Sequence, residues 1–114
     1  MKTSEINFKV VTDINHLPEQ ITWHATDSGM DGENECKSMM LAIWDAQNQN
    51  TLKIDLWTKD MTVEEMKLFF YQTMLSMSAS LERATGDSSS ATDIREFCKH
   101  LAQKMEIETM PPKT

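Results

Sequence analysis

The hydrophobic pattern of this 114-residue chain changes period once, at Asp60. Ahead of that point apolar residues alternate with polar ones, as in strands that bury one face. Ile6, Phe8 and Val10 alternate with Asn7, Lys9 and Val11. A turn follows over residues 13–19, where Pro18 bars a helix interior. Ile21, Trp23 and Ala25 then alternate with Thr22, His24 and Thr26. Beyond a Gly-and-acid loop at 27–35, residues 37–45 predict a third strand. Its Met39, Leu41 and Ile43 share one face while Met40, Ala42 and Trp44 share the other. The polar stretch 45–50 predicts a hairpin connection. Leu52, Ile54 and Leu56 return on a fourth strand with Lys53, Asp55 and Trp57 opposite.

After Asp60 the period is helical. Thr62 and Glu65 form a capping-box signature, in which the Thr hydroxyl accepts from the Glu amide while the Glu carboxylate reaches back. Val63, Met66, Phe69, Phe70, Met74, Met77, Leu81 and Ala84 follow at helical spacing, and Gly86 is a natural stop. Ser88, Ser89 and Ser90 offer N-caps for a second helix with the stripe Ile94, Phe97, Cys98, Leu101, Ala102 and Met105. Pro111 and Pro112 predict the end of order. The expectation is one domain over residues 1–110 and a disordered tail at 111–114.

Four strands followed by two helices predict an α+β fold, a four-stranded antiparallel sheet with both helices packed on one face. The first helix carries more apolar surface than that arrangement needs. At about 100° per residue, Leu68, Tyr71 and Leu75 fall opposite the main stripe. They predict burial against the second helix or against another copy of the chain. The second helix has one narrow stripe, committed to the core, and this favours a homo-oligomer.

The composition suits a globular chain, with 39% hydrophobic and 25% charged residues. The net charge is −7, and the acids are spread along the chain. Such a field repels phosphate backbones and anionic lipid, so neither nucleic acid nor bare membrane is an expected partner. Residues 1–5 lack the apolar region of a signal peptide, and no apolar run approaches the ~20 residues of a membrane span. Cytoplasm is the expected location. Cys36 and Cys98 are far from any CxxC spacing and read as two reduced thiols.

The search for chemistry finds little. Asp27, Asp31 and Gly32 match three places of a calcium-binding loop, but Gly29 stands where a ligand belongs and Ser38 where the bidentate Glu belongs. A solvated turn is the better description. His16, His24 and His100 are scattered, and no zinc or catalytic Cys-His spacing is present. No phosphate-cradling Gly loop, GxSxG or HExxH occurs. The expectation is a protein without enzymatic activity, metal or cofactor.

What remains is apolar surface. The chain has ten Met, a side chain that adapts to varied partners. Met40, Trp44 and Trp57 all fall opposite the presumed core sets, and two Trp on one outer face suit a protein-binding surface. Adjacent antiparallel strands are expected to bring the two Trp together, with Met40 alongside.

Several segments resemble one family. They are Lys2-Thr3-Ser4-Glu5-Ile6, Pro18-Glu19 with Trp23 and Ala25, Trp44-Asp45, and above all Ile54-Asp55-Leu56-Trp57-Thr58-Lys59-Asp60-Met61. Glu65-Met66-Lys67 and Ala84-Thr85-Gly86-Asp87 extend the match over nearly the whole chain. Together they resemble GldC, the gliding-motility-associated family of Bacteroidetes. The resemblance implies a soluble accessory protein of the gliding and type IX secretion apparatus, acting with the membrane-associated GldB, and it brings no catalytic residues. The predicted topology alone is similar to the export chaperone SecB, which supplies an alternative, a holdase for unfolded or exported clients.

Overall fold

The alternating half of the chain forms five strands in the computed structural model, which describes residues 1–107 apart from 28, 30 and 31. Strands β1 (Ile6–Thr12), β2 (Pro18–Ala25) and β3 (Asn34–Cys36) make one antiparallel sheet in that order. Strands β4 (Ser38–Asp45) and β5 (Asn50–Trp57) make a separate antiparallel ribbon. The α+β class holds, but the expected single four-stranded sheet is split three and two. Lys37 is where it splits. On one side of it Cys36 pairs with Ile21 of β2, and on the other Ser38 pairs with Trp57 of β5. The Lys37 carbonyl accepts the Thr58 amide at 2.7 Å, so the β5 ladder begins where the β2 ladder ends. Strands that change sheets across a bend of this kind make the corners of β structures.

The pairing gives the three-stranded sheet one apolar face, with Ile6, Phe8 and Val10 opposite Ala25, Trp23 and Ile21. Ile21 on the central strand is fully buried, worth roughly 1.5–3 kcal/mol. Among the described residues β1 has a strand partner on one side only, and all seven of its residues are exposed. In the ribbon, Met39, Leu41 and Ile43 pair with Leu56, Ile54 and Leu52 on the face predicted for them. Ile43, Leu52 and Ile54 remain exposed.

The strands lie in one compact unit, Met1–Met61, and the helices in a second, Thr62–Thr114. Helix α1 (Val63–Thr85) opens on the predicted capping box. The Glu65 amide donates to Thr62 Oγ1 at 3.1 Å, and the Thr62 amide donates to Glu65 Oε1 at 3.0 Å. It closes at Gly86, whose φ of 74° is left-handed and whose amide donates to the Glu82 carbonyl. Helix α2 (Ser88–Lys104) is capped by Asp87, which accepts the Ser90 amide at 2.9 Å. The three serines expected to cap it form its first turn instead. The expected end of order at Pro111 and Pro112, with the tail at 111–114, lies outside the described residues.

Small side chains hold the two helices together. Ala91, Cys98 and Ala102 recur along one face of α2 and are buried, and Ser78 of α1 is buried with its hydroxyl donating to the Leu75 carbonyl at 2.6 Å. Arg95 reaches Glu82 across the pair at 2.8 Å. Phe97, expected in this core, is 54% exposed, while Ala91, absent from the predicted stripe, is fully buried. Phe97 sits about 100° around the helix from Cys98 and so points past the contact. This close packing leaves no room for added volume at Ala91. Ala91→Leu is expected to destabilise by ~1–3 kcal/mol, whereas Phe97→Leu stays within ~0.5 kcal/mol, as read by urea unfolding.

Candidate protein-binding surface

One face of β5 carries Thr51, Lys53, Asp55 and Trp57 at alternate positions, and β4 supplies Trp44, Ala42, Met40 and Ser38 opposite them. Lys53 and Asp55 pair along the strand at 2.7 Å, between the two indoles. Trp57 is 53% exposed and Trp44 66% exposed. They share the face, as expected, but they do not meet. Trp44 stands opposite Thr51 and Trp57 opposite Ser38, six positions along β4 from Trp44. At ~3.4 Å per residue the separation is roughly 20 Å. Met40 is half-buried, directly across from Asp55 and diagonal to Trp57. The register therefore joins Met40 to Trp57 and leaves Trp44 at the far end.

Trp57 also borders a groove of about 420 Å³ lined by Leu17, Pro18, Asp55, Leu56, Trp57 and Lys59. Its floor and walls are mainly apolar, and its rim carries one charge of each sign. Leu17 ends the β1–β2 turn and Pro18 opens β2, and Asp13 holds that turn in shape. Asp13 accepts the Asn15 amide at 2.8 Å and the Leu17 amide at 3.0 Å, while its own amide donates to the Leu17 carbonyl at 2.9 Å. His16 closes the turn with a left-handed φ of 65°. Lys59 fastens the turn to the end of β5. Its Nζ reaches Asp13 at 2.8 Å and Glu19 at 3.2 Å, and its amide donates to the Pro18 carbonyl at 3.2 Å.

The Lys59 hydrogen bond and the turn amides hold the Asp13 carboxyl below its ordinary range, and the two carboxylates push the Lys59 ammonium up. None of Leu17, Pro18, Lys59 and Asp13 was expected at the binding surface from the sequence. The signal available for them was Asp13 two residues before Asn15, an Asx-turn pattern ahead of a proline.

The stripe Leu68, Tyr71 and Leu75 lies on the side of α1 that also carries buried Ser78 and Glu82, the partner of Arg95 on α2. Tyr71 and Leu75 are half-buried. Leu68 borders a second groove of about 420 Å³, shared with Glu64, Lys67, Met105, Glu106 and Ile107.

Of the acidic loop, Asp31 lies outside the described residues, and Asp27 accepts from Ser4 and pairs with Lys2 at 3.3 Å. Among the described residues no three His, Cys, Asp or Glu side chains gather into a metal-binding group, and no helix is long and apolar enough to cross a membrane. Cys36 and Cys98 are free thiols, and burial raises the pKa of both. That shift is opposite in sign to the one that activates a thiol.

The Asp13–Lys59 lock gives a pH prediction. With its folded pKa depressed below the ordinary ~3.9, Asp13 contributes stability that is complete above that value and lost as the pH falls through the folded one. Asp13→Asn should lower Tm at neutral pH, and the gap from wild type should close below the ordinary carboxylate range. A gap that persists unchanged into strong acid would show that the lock does not act through the carboxylate charge.

A family model described as gliding motility-associated protein GldC-like matches residues 18–107. No curated protein matches the chain, and no solved structure does.

Proposed function

The chain belongs to the GldC-like gliding motility-associated family, and from that premise we propose that it is a cytoplasmic, non-enzymatic adaptor of the gliding and type IX secretion machinery. It binds one protein of that machinery, for which membrane-associated GldB is the first candidate, through the groove beside Trp57. The observation that carries this reading is the groove itself. A half-exposed indole stands at the edge of an apolar recess, with Asp55 and Lys59 on the rim and Met40 behind. Binding energy concentrates where a large aromatic side chain meets an apolar pocket that the partner can desolvate, and charged groups at the rim set orientation more than affinity. The Asp13–Lys59 lock supports the reading because a wall held in place before binding costs less entropy to use.

A second reading has one observation in its favour. Ile43, Leu52 and Ile54 form an exposed apolar patch on the other face of the ribbon, the kind of surface on which a holdase retains unfolded clients.

The two readings separate by substitution. With purified partner, Trp57→Ala should leave the domain folded and weaken binding by about 2 kcal/mol or more, read by calorimetry. Trp44→Ala, roughly 20 Å away by the strand spacing, should change it by less than about 0.5 kcal/mol. Equal losses from both would place the partner along the whole ribbon. Retention of unfolded polypeptide that falls with Leu52→Lys and ignores Trp57→Ala would favour the holdase.

A further inference from the structure

The groove beside Trp57 follows the open edge of β5. Leu56 and Trp57 are neighbours, so their side chains leave opposite faces of the ribbon, yet both line the recess. A recess that meets both lies beside the strand.

The ladder fixes which backbone groups face it. The Thr58 amide donates to the Lys37 carbonyl at 2.7 Å, so Thr58 turns its backbone toward β4. Alternation turns Leu56 the same way and turns Asp55, Trp57 and Lys59 outward. Lys59 obeys it, with its amide donating to the Pro18 carbonyl at 3.2 Å. Among the described residues no strand pairs with that side of β5, and the outward N–H and C=O groups of Asp55 and Trp57 meet no backbone partner. A strand added there satisfies those groups and sends alternate side chains into the recess. A helix has no free backbone groups along its sides to offer them.

Charge sets the composition of that strand. Lys53 is paired with Asp55, and Lys59 with Asp13 and Glu19. Asp55 and Glu19 each meet one lysine, and a carboxylate accepts about four hydrogen bonds. The rim therefore has capacity left for a cation and repels an acid.

On the premise that the Trp57 groove is the binding site, we infer that it takes an extended segment of the partner as an added β-strand. The segment bonds to the backbone of Asp55 and Trp57, sets an apolar side chain against Leu17 and Pro18, and carries a Lys or Arg beside it.

Random short peptides displayed on phage supply the probe. They are selected on the full chain and counter-selected on Trp57→Ala, whose fold circular dichroism checks. Leu17→Lys takes its place if Trp57→Ala loses structure. Surviving sequences should alternate apolar residues with Lys or Arg and lack acids. In the best survivor, made synthetically, single backbone N-methylations should weaken binding by ~10-fold or more at alternate residues and little between. On binding it, the Asp55 and Trp57 amides should exchange ~10-fold more slowly, while the Leu56 amide, already turned to β4, keeps its rate. If no peptide survives counter-selection, the groove itself fails and the strand with it. Survivors that are acidic, that show no alternation under N-methylation, or that leave the Asp55 and Trp57 amides unchanged would keep the groove and overturn the added strand.

Discussion

Helix α1 meets α2 on the side that carries Ser78 and Glu82, and the consequences run through the whole helical unit. Ser78, Ala91, Cys98 and Ala102 let the two helices approach closely, while Glu82 and Arg95 fix their rotation. Once α1 is turned that way, Phe70 and Met77 have no place in the contact and stand outside with Val63. Removing a large apolar side chain from water is worth roughly 1.5–3 kcal/mol, so a helix that leaves three of them exposed forgoes a large share of what its sequence could bury.

The strand unit is governed by a different economy. Its fully buried apolar residue among those described is Ile21, and the turn that shapes the Trp57 groove is held by polar groups. Asp13 satisfies two turn amides and one ammonium at once, which uses most of a carboxylate's capacity to accept. Exposed ion pairs taken singly contribute little. Here the pair acts through geometry, by tying the turn that bears Leu17 and Pro18 to the residue two positions after Trp57. The proposed site and the stability of the turn draw on the same contact.

Much of this was legible in local signals. The change of period, the Thr62–Glu65 box and the stop at Gly86 depend on residues a few positions apart, and the structure has all three. What required distant partners was not legible. β3 is three residues at the end of an acidic loop, and only its ladder to β2 makes it a strand. The α2 stripe was visible, but periodicity does not say which flank of a stripe faces its neighbour, so Phe97 and Ala91 exchanged roles. The shared face of Trp44 and Trp57 followed from alternation. Their separation was also within reach, because pairing Asp45 with Asn50 across the hairpin already sets Trp44 opposite Thr51 and carries Trp57 to Ser38. Family membership places the chain in gliding motility without naming a site, and the groove beside Trp57 is the site proposed for it.

The groove beside Trp57 can be read through the backbone around it. Amide hydrogen exchange reports protection segment by segment. With purified partner in excess, residues 13–19 and 55–59 should exchange more slowly, while residues 43–46 around Trp44 keep their rate. Protection that spares the groove and falls on Trp44 or on the opposite face of the ribbon would contradict the account directly.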